Sequence, residues 1–313
     1  MMNILVTGAN GQLGQCLHDL VDEENDVKNT WFWTDVIENE RDGDYLDITD
    51  EEAVRRFFVD NAISVCINCA AYTNVDKAEE DPEMAKKLNA DAPKILAEAC
   101  KIHGTKLIHI STDYVFNGTA FIPLTEDRLT FPMSVYGKTK LEGEQNIINS
   151  GCKYLIFRTA WLYSEYGNNF VKTMMKLISE KDIVSVVNDQ IGTPTYARNL
   201  ALMLWYIVEW NYLLKEGVYH FTDEGVASWY DFAYEIRRVM GEYGDYQRLS
   251  GLNPVSTKDF YGDKKHTPRP PYSVLSKKKF VEDFKSIYYP LHHWTAGVYA
   301  CVMDIMKTNG KEK

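Results

Sequence analysis

Two residues one helical turn apart, Tyr136 and Lys140 in the stretch SVYGKTKLEGE, have the types and spacing for acid–base chemistry. Positions i and i+4 of a helix share a face, so both side chains can point into one cleft. The reference pKa of a phenol is about 10, and a neighbouring ammonium lowers that pKa by favouring the phenolate. The spacing therefore predicts a tyrosine acid with an activating lysine. The alternative is a packed tyrosine beside a solvated lysine.

A third candidate, Thr112, ends a predicted strand in HISTDYVF. In open α/β sheets the carboxyl ends of the strands face the ligand. The hydroxyl of Thr112 can there hydrogen-bond a carbonyl oxygen or hydroxyl of a substrate beside Tyr136. A hydroxyl residue at a strand end followed by YxxxK is more specific than either part alone.

The segment VTGANGQLG places Gly8, Gly11 and Gly14 directly after the first predicted strand and at the start of a helix. A pyrophosphate packs against amide N–H groups at such a helix N-terminus, and a Cβ at these positions would block it. Asp35 ends the second predicted strand, where an acid commonly accepts hydrogen bonds from the adenosine ribose. The turn predicts a dinucleotide site, with a glycine turn lacking a ligand as the alternative. Asp35 favours NADH over NADPH, but Arg41 could soften its repulsion of a 2′-phosphate, so both cofactors remain open.

Alternating strands and helices in the first half of the chain supply the frame for these residues. The runs NILVTG, TWFWTD, SVCINCA, KLIHIST and YLIFRT predict strands, and helical patterns lie near 12–22, 51–60, 82–103 and 136–149. Near-continuous apolar strands alternating with helices are typical of a parallel sheet covered on both faces. The predicted fold class is α/β, with a doubly wound parallel sheet.

Beyond residue 160 the pattern loosens. SVVNDQ is a further strand candidate, ARNLALMLWYIVEW predicts an apolar helix, and Ser228 is a candidate N-cap for a helix starting near Trp229. We predict a dinucleotide-binding domain over residues 1–160 plus roughly 180–212. A smaller C-terminal substrate lobe would comprise roughly 161–179 and 213–313.

Charge and hydropathy exclude several classes of partner. The 313 residues carry a formal net charge of -11, which disfavours nucleic acid and anionic membrane surfaces. The longest uncharged apolar run, 200–208, is too short to span a bilayer, and no secretory signal precedes it. We expect a cytoplasmic protein. Cys66 and Cys69 form a CxxC within a predicted strand, where their odd separation sends them to opposite faces, so no metal site is predicted.

Together these motifs resemble those of the extended short-chain dehydrogenase/reductases, which carry a Ser/Thr–Tyr–Lys catalytic set on a Rossmann-type sheet. Within that superfamily the chain resembles the dTDP-4-dehydrorhamnose reductases over nearly its whole length. The resemblance rests on these blocks, in order: GANGQLG, NCAAYTNVDKAE, STDYVF, VYGKTKLEGE, FRTAWLY, GNNF, NDQIGTPT and PRPPYSVL. It implies reduction of the C4 ketone of dTDP-4-dehydrorhamnose to dTDP-L-rhamnose by NADPH or NADH.

The resemblance also implies residue roles. The catalytic set would be Thr112, Tyr136 and Lys140. The cofactor-binding residues would be Gly8, Asn10, Gly11, Gln12, Leu13, Gly14, Asp35, Asp47, Ile48, Ala70, Ala71, Tyr136 and Lys140. The substrate-binding residues would be Val75, Asp76, Thr112, Asp113, Tyr114, Trp161, Asn169 and Arg269.

Chemistry supports some of these roles better than others. Arg269 lies between prolines, and its guanidinium fork matches diphosphate oxygens; the alternative is an ordinary surface arginine. Asp47 and Ile48 could flank the adenine, or form a strand end before a helix cap at Thr49 or Asp50. Trp161 could stack on a base or sugar, or belong to the core. For Asp76 and Asn169, turn formation alone is an adequate explanation.

Rival functions on this fold differ at identifiable residues. A nucleotide-sugar 4,6-dehydratase needs an Asp–Glu pair after the threonine, whereas Asp113 and Tyr114 stand here, which disfavours elimination of water. A 4-epimerase needs the same tyrosine and lysine and stays open. So does a non-catalytic subunit like the β-subunit of methionine adenosyltransferase. The expected partner is a sugar nucleotide, and the expected state is a monomer or homodimer. Mg²⁺ is implied by the resemblance alone, and Cys16 stands where a ligand would be sought.

Overall fold

Seven parallel strands form the central sheet of the computed structural model, which describes residues 1–37, 41, 43–210, 212–244, 248–285 and 291–311, without the side chains of 309–311. The strands of the chain are β1 Asn3–Thr7, β2 Thr30–Asp35, β3 Asp44–Tyr45, β4 Val65–Asn68, β5 Lys106–Thr112, β6 Lys153–Thr159, β7 Leu162–Tyr163, β8 Ile183–Val187, β9 Ile191–Gly192, β10 Thr195–Tyr196, β11 Gly217–His220, β12 Ala227–Ser228 and β13 Gly251–Val255. The helices are α1 Gln12–Glu23, α2 Glu51–Asp60, α3 Val75–Glu80, α4 Pro82–Lys86, α5 Ala92–His103, α6 Val135–Ser150, α7 Phe170–Glu180, α8 Ala197–Glu209, α9 Trp229–Tyr243, α10 Thr257–Tyr261, α11 Lys278–Asp283 and α12 Trp294–Lys311.

The strand order of the central sheet is β11-β6-β5-β4-β1-β2-β3. The chain moves outward from β1 to β3 and then returns to place β4 on the other side of β1, so the order reverses between β1 and β4. Ligands of doubly wound sheets bind at the carboxyl ends of the strands beside such a reversal. The predicted Rossmann-type α/β class is confirmed, as are all five strands predicted in the first half.

Helices cover both faces of the sheet because its strands are apolar on both sides. On one face, α1 and α8 contribute Leu17 and Leu204 to a buried cluster with the strands. On the other, α2, α5 and α6 contribute Phe58, Leu96 and Ile147. No helix among the described residues is long and apolar enough to cross a membrane.

A third buried cluster lies away from the sheet and joins α7, α9 and α12 to β8. Three two-stranded sheets, β10-β7, β12-β9 and β13-β8, belong to this part of the chain. Ser228 caps α9 as predicted, in a capping box with Asp231. The strands β7, β9, β10 and β12 have only two residues each, too short for hydrophobic periodicity to reveal.

Two segments form strand pairs outside the lobe to which the sequence assigned them. Gly217–His220, placed in the substrate lobe, adds the edge strand β11 to the central sheet by parallel pairing with β6. Ile183–Val187, placed in the dinucleotide-binding domain, pairs with β13. Both corrections follow from long-range pairing, which a short apolar run does not specify. The division into two lobes otherwise stays a prediction.

The helical run 82–103 contains one wide π turn at Lys87–Asp91, between α4 and α5. Within it Asn89 is fully buried and bonds both backbone groups of Tyr72, accepting from its N–H at 2.9 Å and donating to its carbonyl at 3.0 Å. The amide of Asn89 therefore holds the loop that follows β4. π turns inside helices are frequent at functional sites.

Candidate active site

The glycine turn after β1 fits tightly against the loop after β4. Gly8 has φ +68°, and a Cβ on it would lie 2.6 Å from the backbone nitrogen of Ala70. A Cβ on Gly14 would lie 2.5 Å from the carbonyl oxygen of Gly8. These two glycines are therefore required by the packing of the protein itself, in addition to the approach of a ligand expected from sequence.

The N-terminus of α1 opens at this turn and fits a pyrophosphate. Gly11 occupies the N-cap, and no side chain of a described residue caps it, whereas Asp50 caps α2 through two backbone N–H groups. An uncapped first turn presents N–H groups and the positive end of the helix dipole to an anion. Leu13 faces the core with its side chain, so only its backbone is available to a ligand.

Asp35 ends β2 beside the glycine turn, as predicted. Its carboxylate accepts hydrogen bonds from the backbone N–H of Asn10 at 3.0 Å and of Val36 at 2.8 Å. A cavity of about 30 Å³ beside it is lined by Asn10, Ile37 and Tyr45, among others. Arg41 is turned toward α1, where it pairs with Asp19 and donates to Gln15 at 3.2 Å. In this arrangement Arg41 does not neutralise Asp35.

The remaining predicted cofactor contacts occupy two loops at the same sheet edge. Asp47 accepts from the backbone and hydroxyl of Thr49, and Asp50 is the cap of α2, which was the alternative weighed for this segment. Ile48 is buried in the core with its side chain. Ala70 and Ala71 follow β4 and are half-buried. Their contacts with a cofactor stay predictions.

The Thr–Tyr pair of the predicted catalytic set is assembled where β5 meets α6. Ser134 caps α6 by accepting from the N–H of Gly137 at 3.1 Å, which places Tyr136 in the first turn. A Cβ on Gly137 would lie 2.3 Å from the carbonyl oxygen of Tyr114, so the helix start packs closely on the segment after β5. The side chain of Thr112 lies close enough to the phenol of Tyr136 to lower its pKa.

Lys140 lies one turn further along α6 and is almost fully buried. The described contacts of its Nζ are with the carbonyl oxygen of Ile110 at 2.7 Å and with His109 Nε2 at 3.3 Å. Burial lowers the pKa of Lys140 to about 8 and raises the pKa of Tyr136 to about 12, although the nearby Thr112 acts to lower the pKa of the phenol. The expected lowering of the phenol pKa by the lysine is therefore wrong for this arrangement, because burial is the largest cause of the shift and Lys140 is not among its causes.

Asp113 and Tyr114 complete the surroundings of the catalytic tyrosine. Burial raises the pKa of Asp113 to about 6, although hydrogen bonds from Ser273 and Thr112 lower it. Its Oδ2 has no hydrogen-bond partner within the part of the chain that the structure describes. Tyr114 packs edge-on against Tyr136, with ring centroids 5.4 Å apart.

The predicted substrate residues lie in several places. Arg269 donates to Asp76 of α3 at 2.8 Å, next to the half-buried Val75. Trp161 stacks on Trp229 with centroids 3.7 Å apart and has φ +49°, a strained value for a non-glycine residue.

Asn169 has a structural task in this protein. It caps α7 by accepting from the N–H of Lys172 at 3.1 Å, a local structural role of the kind that was the alternative for this residue. Its Nδ2 donates to the carbonyl of Ser164 and, at 3.0 Å, to Gln12 of the glycine turn. The cap therefore ties α7 to the start of α1. A direct contact of Asn169 with substrate stays a prediction.

Sequence reasoning missed Asn68 and His109, which lie behind the catalytic lysine. Both are fully buried polar residues inside strands, Asn68 at the end of β4 and His109 in the middle of β5. Their Nδ2 and Nδ1 atoms are 3.0 Å apart. The signal was present, because a polar residue within a near-continuous apolar run needs a buried partner. Among the described residues, no group of three or more His, Cys, Asp or Glu could hold a metal ion.

The doubly wound sheet, the glycine turn at its reversal and the Thr–Tyr–Lys set on β5 and α6 define an extended short-chain dehydrogenase/reductase. Comparison with known proteins narrows this class. The model of the family described as RmlD substrate binding domain matches residues 2–307, and the chain belongs to that family. The family expected from the sequence motifs is confirmed.

Known relatives are similar over nearly their full length. The chain is 38% identical to a dTDP-4-dehydrorhamnose reductase of Salmonella typhimurium, covering 98% of this chain and 99% of the relative. It is 36% identical to a probable dTDP-4,6-dihydroxy-2-methyloxan-3-one 4-ketoreductase of Streptomyces antibioticus, covering 97% and 96%. The crystal structure of a dTDP-4-dehydrorhamnose reductase of Bacillus anthracis in complex with NADP superposes with a TM-score of 0.84, at 34% identity over 97% of this chain and 99% of that one.

Proposed function

We propose that this protein reduces the C4 ketone of dTDP-4-dehydrorhamnose to dTDP-L-rhamnose with NADPH or NADH, as a step of dTDP-rhamnose and cell-surface polysaccharide synthesis. The observation that carries the proposal is the placement of Thr112, at the end of β5, beside Tyr136, in the first turn of α6. It occurs in a chain 38% identical to a reductase of that name over 98% of its length.

Tyr136 is the acid of this reaction. A ketone becomes an alcohol by gaining a hydride on carbon and a proton on oxygen, so the acid must be protonated when substrate binds. Burial raises the pKa of Tyr136 to about 12, which keeps the phenol protonated at any physiological pH. A phenol held protonated suits reduction, because the C4 oxygen becomes strongly basic only as the hydride arrives.

Thr112 steadies the oxygen that receives the proton. Its hydroxyl lies next to Tyr136, so both can approach one substrate oxygen. A hydrogen bond donated to that oxygen stabilises the charge that develops on it in the transition state. In the structure this hydroxyl donates to Asp113 at 3.1 Å, so it has to turn from Asp113 to the substrate oxygen to act in this way.

The residues present fit a nicotinamide dinucleotide. The uncapped start of α1 suits the pyrophosphate, and the carboxylate of Asp35 suits the ribose hydroxyls of the adenosine. Lys140, on the same face of α6 as Tyr136, suits the nicotinamide ribose. The reduced dinucleotide supplies the hydride when bound. An NADP complex of a relative with a TM-score of 0.84 supports this assignment.

The deciding assay follows the absorbance of NADH or NADPH in the presence of purified protein and dTDP-4-dehydrorhamnose. We expect oxidation of the cofactor only when the 4-keto sugar nucleotide is present, with one dTDP-L-rhamnose formed per cofactor consumed. An epimerase would interconvert sugar nucleotides without net oxidation of added cofactor. A regulatory subunit like the β-subunit of methionine adenosyltransferase would leave the absorbance constant. Either result would overturn the proposal.

The name of one relative suggests a second substrate, which should be tested in a parallel assay. The Streptomyces antibioticus protein, 36% identical over 97% of this chain, bears the name of a 4-ketoreductase acting on a different dTDP-linked keto sugar. Faster turnover with that sugar nucleotide would move the assignment within the family. We further propose a cytoplasmic enzyme that is a monomer or homodimer, which cell fractionation and light scattering would test.

A further inference from the structure

A buried chain of polar side chains crosses the sheet and ends at the catalytic lysine. Thr7 of β1 donates to Asn68 Oδ1 at 2.7 Å, Asn68 Nδ2 lies 3.0 Å from His109 Nδ1, and His109 Nε2 lies 3.3 Å from Lys140 Nζ. All four residues are at most 2% exposed. We call Thr7, Asn68, His109 and Lys140 the polar chain.

Donors and acceptors in the polar chain can be assigned from one fixed point, the backbone N–H of Ala70. This group can only donate, and it lies 3.1 Å from Asn68 Oδ1, which therefore must be the oxygen of the amide. The hydroxyl of Thr7 donates to the same oxygen. The Nδ2 group of Asn68 then faces His109 Nδ1 and can only donate to it.

This assignment determines the tautomer of His109. Burial lowers the pKa of His109 well below its usual value, and the nearby Lys140 lowers it further, so the ring is neutral. A neutral imidazole carries one proton, and Nδ1 is used as an acceptor, so the proton lies on Nε2. The group that Lys140 meets at 3.3 Å is therefore an N–H donor.

An N–H donor is a poor neighbour for an ammonium and a good one for an amine. The ammonium of a lysine has three donors and no acceptor, whereas a neutral amine has one lone pair. Lys140 already donates to the carbonyl oxygen of Ile110 at 2.7 Å, which either form can do. Only the neutral amine satisfies His109 as well.

We propose that His109, oriented by Asn68, is a positioning residue whose Nε2–H group favours the neutral amine of the catalytic Lys140 and so eases the loss of a proton from it. This deepens the proposed function, because Lys140 belongs to its catalytic set. A lysine poised in this way can exchange a proton within the working pH range, which an ordinary lysine cannot. It can thus help return a proton to Tyr136 after each turnover.

Other charged groups near Lys140 do not replace this effect. Glu144, on the same helix, raises the pKa of Lys140, but its carboxylate is also bound by Arg158 at 2.7 and 2.9 Å and by the hydroxyl of Ser111. The thiol of Cys69 also faces Lys140, and burial raises the pKa of that thiol to about 12, so it is neutral.

Farther from the amine, Asp113 faces Tyr136. On the outer part of α6, Glu142 pairs with Lys86 of α4, and Glu79 of α3 accepts from the N–H of Val135. Burial and the Nε2–H donor of His109 are therefore the main influences on the protonation of the Lys140 amine.

Substitution of Asn68 tests the proposal without any substrate. Asn68→Ala removes the donor to His109 Nδ1 and adds no charge. Asn68→Asp keeps both acceptor contacts of the amide oxygen but requires a proton on His109 Nδ1, which turns Nε2 into an acceptor. Both changes favour the ammonium of Lys140. Asn146→Ala is the matched control, since it removes an amide hydrogen bond to Ala90 from the same helix as Lys140.

The readout is NMR of the full chain labelled with ¹⁵N in histidine and lysine side chains. Resonances are assigned with His109→Gln and Lys140→Met. We expect His109 in the Nε2–H tautomer and Lys140 titrating with a pKa of about 8 in the wild-type protein. In Asn68→Ala and Asn68→Asp we expect the Nδ1–H tautomer of His109. We also expect the pKa of Lys140 to rise by about one unit or more. The control should match the wild type.

Three results would overturn the proposal: an Nδ1–H tautomer in the wild type, an ordinary lysine pKa, or substituted chains whose tautomer changes while Lys140 titrates as before. If Asn68→Ala does not fold, the uncharged Asn68→Val replaces it, because the carboxylate of Asn68→Asp raises the pKa of Lys140 by its charge alone. Because no sugar nucleotide is needed, these results are independent of the enzymatic assay.

Discussion

Arg269 donates a hydrogen bond to the carboxylate of Asp76 at 2.8 Å, joining residues 193 positions apart. The Asp76 side chain is 60% exposed and that of Arg269 only 20%. The guanidinium also lies over the ring of Tyr261 at 6.0 Å. These contacts hold Arg269 in one orientation, with its charge balanced by a carboxylate that water can readily solvate when an anionic ligand takes its place.

Arg269→Gln should raise the KM for the sugar nucleotide by about 10- to 150-fold, the equivalent of one charge-assisted hydrogen bond to a diphosphate. We expect a smaller change in kcat, because the diphosphate is remote from the reacting carbon. Steady-state kinetics with saturating cofactor measures both. Arg248→Gln, which breaks an exposed ion pair with Asp182, is the control. An unchanged KM would remove Arg269 from substrate binding.

Tyr136→Phe should lower kcat by about 10²- to 10⁴-fold, since it removes the proton donor and leaves the ring in place. Affinity for the dinucleotide, measured by fluorescence titration, should be nearly unchanged. Tyr154→Phe, a half-buried tyrosine on β6, is the control. Turnover at the wild-type rate in Tyr136→Phe would mean that another group supplies the proton.

Asp35→Ala should shift the preference between cofactors toward NADPH, by about tenfold in the ratio of kcat/KM values. The carboxylate stands where the 2′-phosphate would be repelled, and Arg41 is engaged by Asp19. Initial rates with each cofactor give the ratio. Asp60→Ala, at the end of α2, should leave it as it is. If Asp35→Ala left the ratio of kcat/KM values for the two cofactors unchanged, the carboxylate of Asp35 would not contact the ribose.

Asp113→Asn should stabilise the protein at neutral pH and not at acid pH. The folded pKa of Asp113 is about 6, above the ordinary value near 3.9, so the unfolded chain loses this proton first as pH rises. Stability is therefore lost between about pH 4 and pH 6, by up to about 3 kcal/mol, and an uncharged amide avoids this loss. Urea unfolding at pH 7.5 and at pH 4.5 measures the difference. Equal gains at both values would contradict the raised pKa.

Gly8→Ala and Gly104→Ala separate a steric clash from backbone strain. Both glycines have φ +68°, but a Cβ on Gly8 would meet Ala70 N at 2.6 Å, while nothing lies within 4 Å of a Cβ on Gly104. Gly104→Ala should cost about 1 kcal/mol, the strain of a left-handed residue alone. Gly8→Ala should cost clearly more and abolish cofactor binding. Urea unfolding and dinucleotide titration measure the two effects; equal costs would contradict the close packing of Gly8.

The local sequence pattern was sufficient to predict most strands of the central sheet and the catalytic residues in their order along the chain. Periodicity and the glycine turn identify elements directly, because burial on both faces leaves a continuous apolar run. The pairing of Gly217–His220 with β6 was not accessible, since a strand of four residues does not specify its neighbour. The roles of Asn68 and His109 depend on atoms brought together from β4 and β5. Desolvation of Tyr136 likewise exists only in the folded molecule.

The wide turn at Lys87–Asp91 limits how this chain can be redesigned. Deleting one residue there would turn the wide turn into an ordinary α-helical turn and remove the widened backbone that carries Asn89. Asn89 could then no longer hydrogen-bond both the N–H and the carbonyl group of Tyr72. A variant without the extra residue would have a more regular helix, but the loop after β4 would lose the hydrogen bonds that hold it. The extra residue should therefore be kept in any chimera or shortened version of the chain.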